Sequence, residues 1–464
     1  MTHKLQENSL SFFESLVLGV AGSGPANAIS LAMGALIGVA GLRSPLYVLI
    51  FAVPMLGIAL AYKALNKRMT HAGAAFNWVG LAFGKFHGFM SGWALITAQM
   101  IFIISGVVPL STAILDFINP DLVNNVALTT GISALWFLFI VGVITLGIKL
   151  TSYLQIAMLS FEMLVLFGVG LAAVLHSHGA VFANAYSWQV YSPVYFLHSF
   201  SGSEFAAAAL IVIFLYWGWD VTANLGEETR NGEHAAGNGG LSGVLVTILL
   251  YSLYAAVALV LFTAAETQTY SSNLLYQIAL SAGLGRTGGL VVSIAVIFSS
   301  AATVQTGMLQ VTRTLFAMGR DGALPTYLGR VSQRTKAPVA ATWWLTGIGL
   351  AGILLTGFTP SVSAILSDAV TASGLQVAYY FGMAGLVCAW VHRTAYRDSW
   401  GRWLAYALFP GLSAVGLIAT GLYAVTTFNT TTAIVGIGTL LAGVLFFRPK
   451  RYLVEGEFLP VTVE

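Results

Sequence analysis

The chain is a succession of apolar stretches of membrane-spanning length joined by short polar turns, which restricts it to very few architectures. In hydrocarbon every backbone N–H and C=O must find its partner within the protein, so only helices or a closed barrel can cross. A helix crosses in about 20 mostly apolar residues. Twelve such segments are predicted: 15–40, 45–66, 87–115, 127–148, 152–175, 203–226, 240–264, 288–314, 340–358, 363–391, 403–425 and 430–447. A barrel would instead show segments of about ten residues with alternating polarity, and these are absent. The expected fold is an all-α integral membrane protein with 12 transmembrane helices.

Composition agrees. Only 8% of the 464 residues are charged, against about 25% in an average soluble domain. Twenty Lys+Arg and 17 Asp+Glu cannot clothe a globule of this length, which excludes a soluble enzyme and a disordered chain. A net charge of +3 gives no reason to expect a nucleic-acid partner. The 50 glycines suit helices packed closely in lipid. One cysteine, Cys388, leaves no disulfide framework and no Cys-based metal site. No nucleotide-binding loop or nucleophile–base set is present, so no enzyme activity, metal or organic cofactor is expected.

Basic residues set the orientation, because they collect on the cytoplasmic side. With both termini inside, 18 of the 20 Lys+Arg fall on one side of the predicted loops, leaving only Arg43 and Arg286 on the other. A missed or invented span would scramble this separation. The expected organisation is a cytoplasmic segment 1–14 and a ten-helix core 15–391, followed by two further helices in 403–447 and a cytoplasmic tail 448–464. The first span is too long for a signal-peptide core and reads as uncleaved. In the polar stretch 315–339, Leu324, Leu328 and Val331 fit either a short interfacial piece or a solvated loop.

Two spans carry helix-breaking sequences in corresponding places. Span 1 contains Gly22-Ser23-Gly24-Pro25-Ala26. Glycine weakens a helix and proline removes a donor, but proline is well placed as the first residue of a new helix. The N–H groups after such a break, with the positive end of a half-helix behind them, would face open space and attract a carboxylate. Span 6 contains Tyr216-Trp217-Gly218-Trp219-Asp220. Gly218 is the expected break, Asp220 can cap the restarted helix, and free carbonyls near Trp217 suit an ammonium group. Trp217 or Trp219 could close over a ligand with cation–π attraction. Breaks five helices apart fit a 5+5 inverted repeat, here 15–175 and 203–391.

At these residues the chain resembles the amino acid–polyamine–organocation transporter superfamily. Gly22-Ser23-Gly24 matches one signature, and Gly218-Trp219-Asp220 followed by Glu227-Glu228-Thr229-Arg230-Asn231 matches a second. A third is Arg313-x-x-x-Ala317-Met318-x-Arg320-Asp321-Gly322-Ala323-Leu324-Pro325. A looser match is Ala72-Gly73-Ala74-Ala75-Phe76 with Gly92-Trp93, where Thr70 and Ala74 replace a usual proline and glycine. The resemblance implies the LeuT-type fold with discontinuous helices 1 and 6, and alternating access. It implies that backbone from Gly22 to Ala26 holds a substrate carboxylate and carbonyls of Tyr216 to Gly218 its amine. Side chains of spans 3, 8 and 10 would complete the pocket, with Ile101, Ser105, Gln305 and Gln376 as candidates.

An ionisable group at mid-depth in a membrane is a functional hypothesis by default. Glu162, ten residues into span 5, is the carboxylate without an obvious local partner. Some proton-coupled members of the superfamily carry a lysine at the corresponding place, where sodium-coupled relatives bind their ion. Three roles stand open for Glu162. It could carry a proton near Gly19, Ser299, Ser300 and Thr303, bind sodium with those oxygens, or serve structure alone. Glu227 and Glu228 could pair with Arg313 or Lys149 to close the inner side, and Asp368 could cap span 10. The expected function is secondary active transport of an L-amino acid across the cytoplasmic membrane, by proton-coupled uptake. Alternatives are exchange without ion coupling, a polyamine or amine substrate, or a channel or transporter-derived sensor. Expected partners are the small-molecule substrate and membrane lipid, with the chain a monomer or homodimer.

Overall fold

The computed structural model describes residues 4–119, 122, 125–177, 191–198, 200–270, 273–358, 362–449, 452 and 458. Among these residues the chain is helical, and the β-type pairing is one isolated parallel bridge between Leu10 and Thr229. The first run comprises α1 (Phe12–Ser23), α2 (Pro25–Ala28), a π-turn over Ile29–Met33, and α3 (Gly34–Ala40). Then come α4 (Ser44–Arg68), α5 (Ala75–Phe83), α6 (Lys85–Ile118), α7 (Val126–Thr145), α8 (Ile148–Ser177) and α9 (Pro193–His198). The second broken run is α10 (Gly202–Leu215) and α11 (Val221–Asn224), followed by α12 (Gly232–Leu261), α13 (Ala264–Thr269) and α14 (Leu274–Ala279). The rest are α15 (Gly285–Arg320), α16 (Val339–Leu355), α17 (Val362–Val391), α18 (Trp400–Trp403), α19 (Phe409–Ala424), α20 (Thr430–Ala433) and α21 (Thr439–Phe446).

Nine helical runs among the described residues are long and apolar enough to cross a membrane, and two shorter apolar helices, Gly202–Leu215 and Thr430–Phe446, accompany them. This is a multi-pass membrane protein, with helices as its regular elements among the described residues. Helix starts follow local chemistry. At α1 the Glu14 N–H donates to Ser11 Oγ (3.3 Å) while Glu14 Oε2 accepts from the Ser11 N–H (2.6 Å), a reciprocal cap. Asn125 and Ser201 cap α7 and α10 through their side chains.

Small residues let the central helices approach closely. α1 runs along α12, where a Cβ on Gly19 would lie 3.2 Å from the Gly239 carbonyl oxygen and one on Gly243 would lie 3.1 Å from the Gly19 carbonyl carbon. α4 also packs along α12, and α6 along α15 and α17. The stretch after α15 buries one side and exposes the other, with Thr326, Tyr327 and Arg330 exposed. It forms a tight turn over Thr326–Gly329 that buries Leu328 and Val331, because Gly319 and Gly329 allow it to press against the end of α15.

Candidate functional site

The first break falls at Gly24. α1 ends at Ser23, Gly24 takes a left-handed conformation (φ +52°), and Pro25 begins α2. The second break is longer. The chain leaves helical pairing from Tyr216 to Asp220, with Gly218 at φ +102°, and restarts at Val221. Both glycines take a backbone conformation that other residues adopt only with strain. The two breaks touch: a Cβ on Gly22 would overlap the Gly218 carbonyl oxygen, and one on Gly218 would overlap that of Gly22.

Beside this contact lies a cavity of about 20 Å³, which is room for a water molecule. Gly22 and Ser23 form one wall, Trp217 and Gly218 a second, and Gln99 and Gly307 a third. No lining residue is charged. Trp217 faces the cavity, with its ring edge-on to Phe102 at 5.8 Å. Trp219 does not; it packs against Tyr62 (5.2 Å) and Phe381 (5.4 Å). Tyr216 also turns away and donates its hydroxyl to the Val48 carbonyl at 3.0 Å. The Tyr251 hydroxyl donates to the Ser23 carbonyl at 3.0 Å, pinning the end of α1.

Two local expectations need correction. The N–H groups after the first break do not face open space. Ala26 N–H donates to Glu162 Oε1 (2.8 Å) and Asn27 N–H to Ser299 Oγ (3.1 Å). Gly24 has no capping side chain, so the neighbouring helices α8 and α15 supply the acceptors that the new helix start requires. Nor does the Asp220 side chain cap α11. Its Oδ2 accepts from the Tyr380 hydroxyl (2.9 Å) and from Gln310 Nε2 (2.7 Å). Hydrogen bonds to a carboxylate are strong ones, and these two hold it away from the helix start.

Glu162 is fully buried. Besides the Ala26 N–H, its Oε1 accepts from the Ser299 hydroxyl (2.8 Å), while Oε2 has no protein partner. Ser300 donates to Asn27 Oδ1 (2.9 Å), and the Thr303 hydroxyl bonds the carbonyls of Ala21 (3.1 Å) and Ser299 (2.6 Å). Gly19 lies elsewhere, against Gly239 and Thr222. Among the described residues no group of acidic, His or Cys side chains could hold a metal. Ile101, Ser105, Gln305 and Gln376 do not line the cavity. The helical phase instead presents Gln99 and Phe102 of α6 and Thr306 and Gly307 of α15. Gln305 is bonded to Gln155 (2.5 Å) and Gln376 to the Gly436 carbonyl (2.9 Å). The side chain of Asp368 lies outside the described residues.

Ion pairs tie the helices together near both ends of the bundle. On the face carrying the N-terminal segment, Arg313 grips Glu228 through Nε (2.8 Å) and Nη2 (3.0 Å), fully buried. Beside it Arg320 grips Glu227 through Nη1 and Nη2 (both 2.9 Å). Burial opposes ionisation of Glu227. The hydrogen bonds and charge of Arg320, the His71 charge and the Ala72 N–H outweigh it and hold the carboxyl below its usual range. Lys149 pairs with Glu14 (3.2 Å) rather than with either glutamate. The N-terminal segment covers these pairs, because Ser9 and Leu10 donate their N–H groups to the Glu228 carbonyl (2.7 and 3.0 Å). On the opposite face Arg43 pairs with Glu204, which also accepts from the Tyr47 hydroxyl (3.2 Å).

Paired helix breaks at a small uncharged cavity, within a multi-pass bundle, are the features of a membrane carrier. The chain belongs to the amino acid permease family, whose sequence model matches residues 10–445. This is a family of transporters, not of enzymes. The chain is 27% identical over 325 residues to the branched-chain amino acid permease BcaP of Bacillus subtilis, covering 67% of this chain and 66% of that protein. It is 26% identical over 381 residues to BcaP of Lactococcus lactis subsp. cremoris, covering 78% and 77% of the two chains. It is 24% identical over 335 residues to the mitochondrial cationic amino acid transporter 3 of Arabidopsis thaliana, covering 68% and 51%.

Proposed function

We propose that the protein carries an amino acid across the cytoplasmic membrane by alternating access. The observation that carries this reading is the direct contact of two helix breaks, through Gly22 and Gly218, beside a small uncharged cavity. The breaks would sit at equivalent positions of a 5+5 inverted repeat in a 12-span LeuT-type fold, with both termini cytoplasmic. The backbone of Gly22 and Ser23 would take the substrate carboxylate and the carbonyls at Trp217 its ammonium. A polyamine fits less well, since no carboxylate lines the cavity.

Coupling is assigned to Glu162 as a proton site. Its unpartnered Oε2 can hold a proton, and its Oε1 is tied to the first turn of α2. The test is uptake of labelled amino acids into proteoliposomes under an imposed proton gradient, a sodium gradient, or counter-substrate alone. Accumulation only with the proton gradient is expected. Accumulation only with internal amino acid would establish an exchanger, and absence of saturable uptake would remove the transport reading.

A further inference from the structure

We propose that Gln99 reads the substrate's side chain, and that the solute is an uncharged amino acid whose side chain carries a hydrogen-bond donor. This rests on the transport reading above and names the solute class for the same cavity, which must widen from its present room for one water to admit the solute. Gln99 is 3% exposed, lines the cavity, and its Oε1 has no partner. A buried polar atom left unpaired is costly, so an unpaired acceptor in a binding cavity is an invitation to a donor.

Which end of the Gln99 amide faces the cavity is set by a relay with fixed direction. Trp217 Nε1 can only donate, and it donates to the Tyr380 hydroxyl (2.5 Å). Tyr380 therefore sends its own proton to Asp220 Oδ2 (2.9 Å). Asn224 turns its amine to the Ala72 carbonyl (2.8 Å), which can only accept, and so turns its oxygen to Gln310. Gln310 thus faces two acceptors, Asp220 Oδ2 at 2.7 Å and Asn224 Oδ1 at 3.2 Å, and must present its amine to both. Its carbonyl is left for Gln99, which donates Nε2 to it at 2.5 Å. The Gln99 amine is then tied to Gln310, and its carbonyl is the end left without a partner beside the cavity.

Gly307 keeps that oxygen uncovered. A Cβ there would lie 2.7 Å from Gln99 Oε1. The wall made by α6 and α15 is distinct from the two helix breaks assigned to the carboxylate and ammonium, so it meets the side chain. Beside the Phe102 ring it offers the unpaired Gln99 acceptor, with Thr303 and Thr306 whose hydroxyls already donate to backbone carbonyls, and no charge. A hydroxyl or amide N–H satisfies it, an aliphatic side chain leaves it unpaired, and a full cationic charge finds no counter-ion.

Threonine and valine are isosteric and differ only in the donor. The experiment measures their binding, with lysine as a third ligand, to the purified full chain in nanodiscs. Threonine is expected to bind at least about tenfold tighter than valine, since a site built around a hydrogen bond rejects the analogue lacking it. Gln99→Met should bring the ratio close to one, and so should Gly307→Ala, whose methyl would crowd Gln99 Oε1 and which serves if the first variant does not fold. Valine binding as tightly as threonine, lysine matching threonine, or an unchanged ratio in the variants overturns the proposal while leaving transport intact. If no amino acid binds the unaltered protein, the transport reading falls and this one with it.

Discussion

Gly22 and Gly218 meet backbone to backbone, so that neither can carry a side chain without moving the other. This contact joins the two broken spans at the level of the cavity. Gly218→Ala is expected to cost more than Gly22→Ala, because it adds a left-handed strain (φ +102°) to the same overlap. Both variants should insert in the membrane and lose saturable uptake in proteoliposomes. Normal uptake by Gly218→Ala would show that the breaks need not touch during transport.

Glu162→Gln separates a coupling role from a structural one. Glutamine keeps an oxygen to accept from the Ala26 N–H and the Ser299 hydroxyl but cannot titrate. Uptake driven by a proton gradient should disappear, while exchange of internal for external substrate continues. If the proton gradient still drives uptake, Glu162 is a cap for α2 and nothing more.

The Glu227–Arg320 pair predicts acid sensitivity with a definite sign. The folded protein holds the Glu227 carboxyl below its ordinary value of 4.5. A group depressed on folding stabilises the protein above its unfolded pKa and loses that contribution as pH falls through the folded one. Thermal stability in detergent should therefore lose the pair's contribution below about pH 4.5. Glu227→Gln should melt lower at neutral pH and show a shallower decline in acid.

Ala74 is a residue out of place. It has φ +42° where only glycine is comfortable, at the position where the resembling superfamily usually has a glycine. Ala74→Gly should stabilise the protein by about 1 kcal/mol, the order of the relieved strain. A lower melting temperature would mean that the Ala74 methyl, fully buried, contributes more packing than its backbone costs.

Much of this was legible in the chain. Apolar length gave the helices, and Gly24-Pro25 and Gly218 gave the breaks, because glycine and proline act on the backbone they belong to. The partners were not legible. That Glu162 meets Ala26, or that Trp217 reaches Asp220 through Tyr380, depends on how helices far apart in sequence are rotated against each other. The same limit explains the misplaced cavity residues. Ile101 lies on the same helix as Gln99 and Phe102 but on a different face, while Ser105 follows Phe102 one turn further along, and an almost uniformly apolar helix gives little periodicity from which to read phase or depth. Gln99, Gln310 and Tyr380 did leave a signal, as polar groups within apolar spans.

The first turn of α2 has two customers. Its Ala26 and Asn27 N–H groups are bound to Glu162 and Ser299, while Asn27 and Ala28 form part of the cavity wall. Proton and solute would then never share a surface, only a lever. Linkage makes such a lever work in both directions: whatever factor a proton on Glu162 adds to solute affinity, bound solute must add to the affinity for the proton. The cavity could then be remodelled for a new solute without rebuilding the device that powers it.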